Sequence, residues 1–381
     1  MRYLLVPILC VLISACASDG EVLEPAELIE FRASATVDNI WKTETGTARA
    51  KGAEFFSPHI DESAVYTAGY KGLVKRTDRI KGKEVWSREL DFTLISGVSG
   101  DQSRIYLNSF EGHLLALSKE SGELLWQQKF SSEALAPPAA ALDRVVLRTN
   151  DGFIIALRAE DGEELWRYQI QVPVLTLHGY ASPLIVPGGV LCGLDDGSLL
   201  ALTLDEGKVI WQTQLSRAEG RSEVERLVDL DGQIVIDQQF IYAVNYQGRV
   251  AQIEPQQGNI VWSRPLSSVK GVAVDDSMVF VVEPDAYLWA LDKRTGASMW
   301  KLEKLEGRYL TRPLAFMDYV LVGDLEGYLH VLSKFDGSTV ARFQIDNSAI
   351  LTAPQVLDET VYVQSSGGVV RALDIGKLVR E

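Results

Sequence analysis

Several side chains in this 381-residue sequence have functional groups that could do chemistry, and their spacing decides whether they can act together. The four histidines lie far apart in the chain, without the close spacing that is typical of zinc ligands: His59, His113, His178 and His330. The acidic pair Asp195-Asp196 could bind a hard cation, but it precedes a glycine, and aspartate favours turns by bonding to nearby backbone. We therefore predict a turn at this pair. No hydrolase elbow, zinc-protease motif, phosphate loop or CxxC motif is present, so we predict no catalytic, metal or cofactor site.

Cys16 is the residue for which a chemical modification is predicted. The chain starts MRYLLVPILCVLISAC, and its apolar run is shorter than the about 20 residues needed to span a bilayer, which fits a signal peptide. The run ends in ISAC (13–16), which resembles the bacterial lipobox, where the signal is cleaved and the cysteine is lipidated. We expect a signal peptide at 1–15, a lipidated Cys16 and an acidic tether over 16–35. Because Ala17 and not aspartate follows, the resemblance implies the outer membrane.

Charge and the remaining cysteine limit the environment and the partners. The formal net charge is −15, which disfavours nucleic-acid binding and electrostatic attachment to anionic lipid. After the predicted processing, Cys192 is the one cysteine with a free thiol, so no intramolecular disulfide is expected. It lies in GVLCGL, which predicts a small hydrophobic residue in a buried strand.

A repeat supplies the elements that must position any site. Its clearest copies are GHLLALSKESGELLW (112–126), GFIIALRAEDGEELW (152–166), GSLLALTLDEGKVIW (197–211) and AYLWALDKRTGASMW (286–300). In each copy a glycine stands four positions ahead of the tryptophan, and alternating apolar runs are separated by glycine turns. A period of about 40–50 residues with four strands per unit is typical of a β-propeller blade.

The ends of the chain determine the number of blades. Three strands are predicted at the C-terminus, and one strand, TVDNIWKTE (36–44), is predicted before the first complete unit. Pairing these four strands closes the ring and leaves no open edge. We therefore predict an all-β fold, a single eight-bladed propeller of four-stranded antiparallel blades over 36–381. Seven of the eight tryptophans recur at one repeat position, which favours packing between blades, and Trp289 is the extra one.

Two consecutive connections are longer than blade closure requires, and we expect the functional surface to lie there. The first, YQIQVPVLTLHGYASP (168–183), is rich in apolar residues, and the second, SRAEGRSEVERLVDLDGQI (216–234), is densely charged. Because the two connections are consecutive, we expect them side by side on one face of the ring. An apolar loop beside a charged one is typical of a protein-docking surface. The alternative is that both loops only pack over blade edges.

The motifs resemble two related propeller families. ALDKRTGASMW (290–300) resembles the repeat of quinoprotein dehydrogenases, enzymes that use pyrroloquinoline quinone and Ca²⁺. The lipobox, the eight units and the motifs VLTLHG (174–179) and RLVDLD (226–231) together resemble the BamB family of the β-barrel assembly machinery. That resemblance implies a non-catalytic outer-membrane lipoprotein scaffold on the periplasmic side. It would bind the periplasmic domains of BamA and assist the folding and insertion of outer membrane proteins, with unfolded clients as candidate ligands.

The same resemblance implies contact residues for BamA, which are Leu175, Leu177, His178, Asp229 and Asp231. The family typically has arginine where this chain has His178, and histidine is shorter and mostly neutral at pH 7. Two other functions stay open from the sequence: a quinone- and Ca²⁺-dependent dehydrogenase, and a periplasmic propeller that binds a ligand in its central channel.

Overall fold

A computed structural model describes residues 24–46, 56–177, 181–237 and 239–376. The predicted signal peptide, Cys16 and His178 lie outside the described residues. Within them the chain forms 32 strands and no helix. The described part accordingly contains no helix with the length and apolar character needed to cross a membrane.

The strands form eight antiparallel sheets of four, each built from neighbouring segments of the chain except at the ring closure. Blades 1 to 4 are formed by β2 (His59–Ile60), β3 (Ala64–Ala68), β4 (Leu73–Asp78), β5 (Glu84–Glu89); β6 (Ser99–Gly100), β7 (Arg104–Asn108), β8 (His113–Ser118), β9 (Leu124–Lys129); β10 (Ala139–Ala141), β11 (Arg144–Arg148), β12 (Phe153–Arg158), β13 (Glu164–Gln169); and β14 (Leu184–Val186), β15 (Gly189–Gly193), β16 (Ser198–Thr203), β17 (Val209–Gln214). Blades 5 to 7 are formed by β18 (Val235–Asp237), β19 (Phe240–Val244), β20 (Arg249–Ile253), β21 (Ile260–Pro265); β22 (Val272–Val274), β23 (Met278–Val282), β24 (Leu288–Asp292), β25 (Ser298–Leu302); and β26 (Leu314–Phe316), β27 (Tyr319–Gly323), β28 (Tyr328–Ser333), β29 (Thr339–Gln344).

Blade 8 closes the ring as the sequence predicts. It combines β30 (Gln355–Leu357), β31 (Thr360–Gln364) and β32 (Val369–Ile375) with the N-terminal strand β1 (Val37–Glu44). Strand β1 pairs antiparallel with β32 and places Trp41 opposite Ala372. The prediction of an all-β, eight-bladed propeller is confirmed.

The repeated tryptophans join neighbouring blades. Each of the seven indole N–H groups donates a hydrogen bond of 2.8–3.0 Å to a backbone carbonyl in the next blade, from Trp41, Trp86, Trp126, Trp166, Trp211, Trp262 and Trp300. Each indole ring also packs on the repeat glycine of that neighbouring blade. A Cβ on Gly296, for example, would stand 2.6 Å from the Trp262 ring, and its φ of +70° also favours glycine. The structural role predicted for these residues is confirmed.

The interface between blades 7 and 8 lacks a tryptophan and is covered differently. Ala341 occupies the repeat position, and the segment before β1 lies against it. The backbone N–H groups of Ser34 and Ala35 both donate to the Val340 carbonyl, at 2.9 and 3.2 Å. Residues 34 and 35, at the end of the predicted tether, are therefore bound to the outermost strand of blade 7.

The ring surrounds a central cavity of about 760 Å³, lined by residues from all eight blades. The apolar core lies between neighbouring blades, because the two faces of each sheet pack on the sheets beside it. Cys192 belongs to this core and is buried, and burial raises the pKa of its thiol to about 12. The prediction of a small hydrophobic residue in a buried strand agrees with this position.

Candidate partner-docking site

The two long connections predicted to lie side by side are in contact. The first joins β13 of blade 3 to β14 of blade 4, and the second joins β17 of blade 4 to β18 of blade 5. The backbone N–H of Leu177 in the first donates to Oδ1 of Asp229 in the second, at 2.8 Å. This hydrogen bond confirms the predicted neighbourhood of the two connections.

The first connection presents apolar side chains to solvent. We call its residues 171–177 the docking loop. Val174 is 100% exposed, and Val172 and Leu175 are 40% and 41% exposed. Leu177 is half-buried and lines the central cavity, so the loop turns from solvent to the ring axis over a few residues. Clustered exposed apolar side chains are typical of a surface that another protein covers.

The second connection has an exposed part and a buried part. Its exposed residues 217–226 carry most of the charge and form a compact turn. There the Glu225 carboxylate accepts the backbone N–H groups of Arg221 and Ser222, at 2.6 and 3.2 Å. Residues 227–231, which we call the support segment, are buried. The charged turn therefore continues into a buried segment of its own connection, and that buried segment also bonds to the docking loop of the first connection.

Backbone hydrogen bonds fix the support segment between blades 4 and 5. The N–H of Leu230 donates to the Leu194 carbonyl at 3.0 Å, and the carbonyl of Asp229 accepts the Tyr246 N–H at 3.0 Å. The Leu230 carbonyl lies so close to Gly193 that a Cβ there would stand 2.2 Å from its oxygen. Glycine in β15 thus permits the close approach of the support segment to blade 4.

Alternate residues of the support segment face opposite sides, as expected for extended chain. Leu230 packs into the apolar core between blades 4 and 5, while Asp229 and Asp231 point toward the β15–β16 turn. Carboxylate oxygens of Asp195, Asp229 and Asp231 lie within 4.8 Å of one another, and all three residues are buried. Arg148 bonds to Asp195, and this is the ion pair that the cluster makes within the described residues.

Burial and like charge set the protonation of this cluster. The pKa of Asp231 is raised well above its ordinary value, first by burial and then by the neighbouring Asp229 and Asp195. Burial also raises the pKa of Asp229, which the hydrogen bond from Leu177 partly opposes. Asp229 and Asp231 therefore favour a state with less negative charge than two ionised groups would give.

The turn predicted at Asp195-Asp196 forms, but its two carboxylates behave differently. Asp196 is exposed and accepts the backbone N–H of Ser198 at 2.9 Å, which is the predicted local turn bond. Asp195 instead faces inward to the support segment. No pattern in the sequence connects Asp195 with residues more than thirty positions later. The alternation of leucine and aspartate in RLVDLD was the available signal that two carboxylates share one side.

The five predicted contact residues thus have different surroundings. Leu175 is exposed on the docking loop, Leu177 is half-buried, and Asp229 and Asp231 are 0% and 4% exposed. His178 lies outside the described residues. Buried carboxylates are not available for direct contact in this arrangement, but Asp229 supports the docking loop from behind through Leu177.

The other side chains considered for chemistry are engaged in structural contacts. His330 bonds to Asp324 at 2.8 Å, and burial lowers its pKa. His59 lines the cavity beside Lys119, and burial with that charge lowers its pKa to about 4. Within the described ranges, the three aspartates above are the group of His, Cys, Asp or Glu side chains spaced to share a metal ion.

The stretch ALDKRTGASMW is a hairpin at the rim of blade 6. The Asp292 carboxylate accepts both the backbone N–H and the hydroxyl of Thr295, at 2.8 and 2.5 Å, inside the β24–β25 turn. The stretch ends at Trp300, which donates to the Lys334 carbonyl of blade 7. Asp292, Thr295 and Trp300 thereby stabilise the hairpin and its contact with blade 7.

Comparisons with known proteins all point to one family. The family model described as outer membrane protein assembly factor BamB matches residues 38–302 and 304–380. The chain is 42% identical over 361 residues to the protein of that name from Pseudomonas aeruginosa, covering 94% of this chain and 95% of that one. It is 45% identical over 345 residues to the one from Marinobacter adhaerens, covering 91% and 88%.

Solved structures agree in fold. The crystal structure of BamB from Moraxella catarrhalis superimposes with a TM-score of 0.82 at 26% identity, covering 89% of this chain and all of that one. A quinohemoprotein alcohol dehydrogenase from Comamonas testosteroni superimposes with a TM-score of 0.72 at 13% identity, covering 91% of this chain and 78% of that one. At that identity the second likeness shows the shared propeller fold alone.

Proposed function

The chain belongs to the family of the outer membrane protein assembly factor BamB, and on that premise we propose that it is a scaffold lipoprotein that docks onto the periplasmic domains of BamA. In this proposal Cys16 carries the lipid that holds the protein on the periplasmic side of the outer membrane. The propeller would assist the folding and insertion of outer membrane proteins without catalysing a reaction.

The hydrogen bond between Leu177 and Asp229 is the observation that carries the proposal. It joins the docking loop, which exposes Val174 and Leu175, to a support segment that is itself buried between two blades. A loop that is fixed at its base loses little conformational entropy when a partner covers its exposed side chains. An apolar projection with a rigid support is therefore well suited to specific protein binding.

The roles of the proposed contact residues follow from their burial. Leu175 would enter an apolar recess on BamA, together with Val174. Asp229 would act as a positioning residue, because its side chain is buried and its Oδ1 holds the Leu177 N–H. Asp231 would support the base of the docking loop from the same buried side, next to Asp229. His178 would provide the polar part of the contact in place of the arginine typical of the family.

The charged turn at 217–226 directly precedes the support segment in the chain and would form the polar rim of the contact. Interfaces commonly surround an apolar centre with polar residues that remain near solvent. The turn is exposed along its length and is held in shape by Glu225, so it could adapt its long side chains to a partner without losing its fold.

The proposal is tested by capture of BamA periplasmic domains on immobilised full-length protein. Wild type should capture BamA, and the double variant Leu175→Ala with Asp229→Ala should lose most of that capture. Ile80→Ala is the matched control, because Ile80 is also an exposed aliphatic side chain in a turn, 65% exposed, but lies on blade 1. Capture by the control should equal that of wild type.

Two results would count against different parts of the proposal. Undiminished capture by the double variant would remove the docking site and leave the function. Absence of capture by the wild-type protein would remove BamA as the partner.

A further inference from the structure

Three buried carboxylates lie behind the docking loop with fewer partners than they need. Asp195 pairs with Arg148, and Asp229 accepts the Leu177 N–H through one oxygen. Asp231 is aimed at these two groups, is 4% exposed, and its Oδ1 has no hydrogen-bond partner within the described residues. One buried oxygen each of Asp195 and Asp229 is also without a partner there. Buried polar atoms are rarely left in this state without a reason.

The charges of the cluster do not balance within the described residues. Three ionised carboxylates carry three negative charges, and Arg148 supplies one positive charge. A divalent cation would supply the remaining two and leave no net charge. The alternative is that protons neutralise the cluster, since like charges at this distance in a poorly solvated place repel strongly.

We propose that Asp195, Asp229 and Asp231 form a binding site for one hard divalent cation, with Ca²⁺ preferred. The donor set contains only carboxylate oxygens, which suits Ca²⁺ and Mg²⁺ better than zinc or copper. Opposite ligands of one Ca²⁺ stand about 4.6–5.2 Å apart, since each lies about 2.3–2.6 Å from the ion. Oxygens that lie within 4.8 Å of one another therefore fit around a single Ca²⁺. Mg²⁺ keeps several of its waters and is usually bound through one or two carboxylates, so a set of three protein carboxylates favours Ca²⁺.

The site also has a route for the ion and for water. Asp231 lines the central cavity of about 760 Å³, so an ion can reach the cluster from the ring axis. Water from the cavity can complete a coordination shell to which the protein contributes three ligands. This inference does not depend on BamA binding, since it concerns the occupancy of the cluster in the isolated protein.

The experiment is a calorimetric titration of chelator-treated full-length protein with CaCl2 and, separately, with MgCl2. Wild type should bind one Ca²⁺ per chain more tightly than Mg²⁺, and Ca²⁺ should raise its Tm by mass action. Asp231→Asn keeps the shape of the side chain and removes one charged ligand. Its Ca²⁺ affinity should be weaker by at least about tenfold, which corresponds to about 1.4 kcal/mol.

Asp196→Asn is the matched control, because Asp196 is the exposed neighbour in the same DDG turn, and an asparagine oxygen can still accept the Ser198 N–H. Its affinity should equal that of wild type. Unfolding midpoints in chelator establish that both variants are folded.

Three outcomes would overturn the proposal. Absence of both heat and Tm shift in wild type would mean that the cluster holds protons and no cation. Equal Ca²⁺ affinity of wild type and Asp231→Asn would place the ion elsewhere. Tighter binding of Mg²⁺ than of Ca²⁺ would contradict the ion assignment.

Discussion

Blades 4 and 7 each bury an aspartate in the turn between their second and third strands, and the two sites differ in how that charge is balanced. In blade 7, Asp324 accepts hydrogen bonds from Arg308 at 2.7 Å and from His330 at 2.8 Å. Its pKa is lowered, because these bonds outweigh the effect of burial. In blade 4, the support segment brings Asp229 and Asp231 to Asp195, and the pKa values of Asp229 and Asp231 are raised.

The comparison shows two uses of one position in a repeated fold. The blade 7 site is complete within the chain and stabilises the ring. The blade 4 site retains unbalanced charge and supports the docking loop, which exposes apolar side chains. Sites that weaken the folded state without serving packing are commonly functional, which agrees with the placement of the proposed docking surface here.

The largest expected effect is on the complete site. Asp324→Asn should lower the free energy of unfolding by about 3–5 kcal/mol, because it removes the fully buried counter-charge of Arg308 and leaves that guanidinium paired with the more exposed Glu326. Urea unfolding at neutral pH measures this. A loss below about 1 kcal/mol would contradict the distinction between the two sites, since surface ion pairs are worth that little.

A smaller effect is expected where the support segment meets blade 4. Gly193→Ala should lower stability by about 1–3 kcal/mol, because its Cβ would stand 2.2 Å from the Leu230 carbonyl oxygen. It should also weaken BamA binding by displacing the support segment. Gly189→Ala is the control in the same strand, where the nearest atom would be 3.2 Å away. Equal effects of the two substitutions would argue against a special contact at Gly193.

The smallest expected change in stability has the opposite sign. In chelator at neutral pH, Asp231→Asn should raise the free energy of unfolding by about 1 kcal/mol, because it removes a buried carboxyl group whose Oδ1 has no hydrogen-bond partner within the described residues and whose ionisation burial opposes. Urea unfolding of wild type and variant checks this, and a destabilised variant would mean that the carboxylate is favourably paired.

The pH dependence of the free energy of unfolding in Asp324→Asn and Asp231→Asn tests the opposite pKa shifts of the two aspartates. Asp324 has a lowered pKa in the folded state, so its stabilisation is present above the ordinary value of 3.8 and is lost as pH falls through the folded pKa. Asp231 has a raised pKa, so it costs nothing below the ordinary value and destabilises as pH rises from there toward the folded pKa. In metal-free buffer both differences from wild type should therefore shrink in acid, from opposite signs at neutral pH. Unfolding free energies measured across this range would contradict the account if the two differences had the same sign.

The repeating part of the molecule could be predicted from the sequence because each unit carries its own signal. A tryptophan and a glycine recur at fixed spacing, and the same contact between Trp262 and Gly296 recurs around the ring. Closure followed from counting strands, since β1 completes the blade that the C-terminus leaves short. The exception at Ala341 is also present in the sequence, where alanine replaces tryptophan at the end of the copy GYLHVLSKFDGSTVA (327–341).

The location of the candidate site could be predicted from the sequence, but the burial and orientation of its carboxylates could not. The lengths of the two connections indicated where they lie, and their contact through Leu177 and Asp229 agrees with that. The burial of Asp229 and Asp231 was not predictable, because charged residues in a long connection usually face solvent. The inward orientation of Asp195 depends on packing between two blades, which local turn preference does not determine.

The central claim is that Asp229 acts by holding the docking loop and not by presenting its charge to BamA. The affinity of the BamA periplasmic domains for Asp229→Asn, compared with that for Asp229→Ala, tests it most directly. An asparagine oxygen can still accept the Leu177 N–H, whereas alanine leaves that group without its partner. We expect Asp229→Asn to bind within about twofold of wild type and Asp229→Ala to bind at least about tenfold more weakly, a difference of about 1.4 kcal/mol. Equal weakening by the two substitutions would contradict the account, because it would show that the charge of Asp229 is what BamA binding requires.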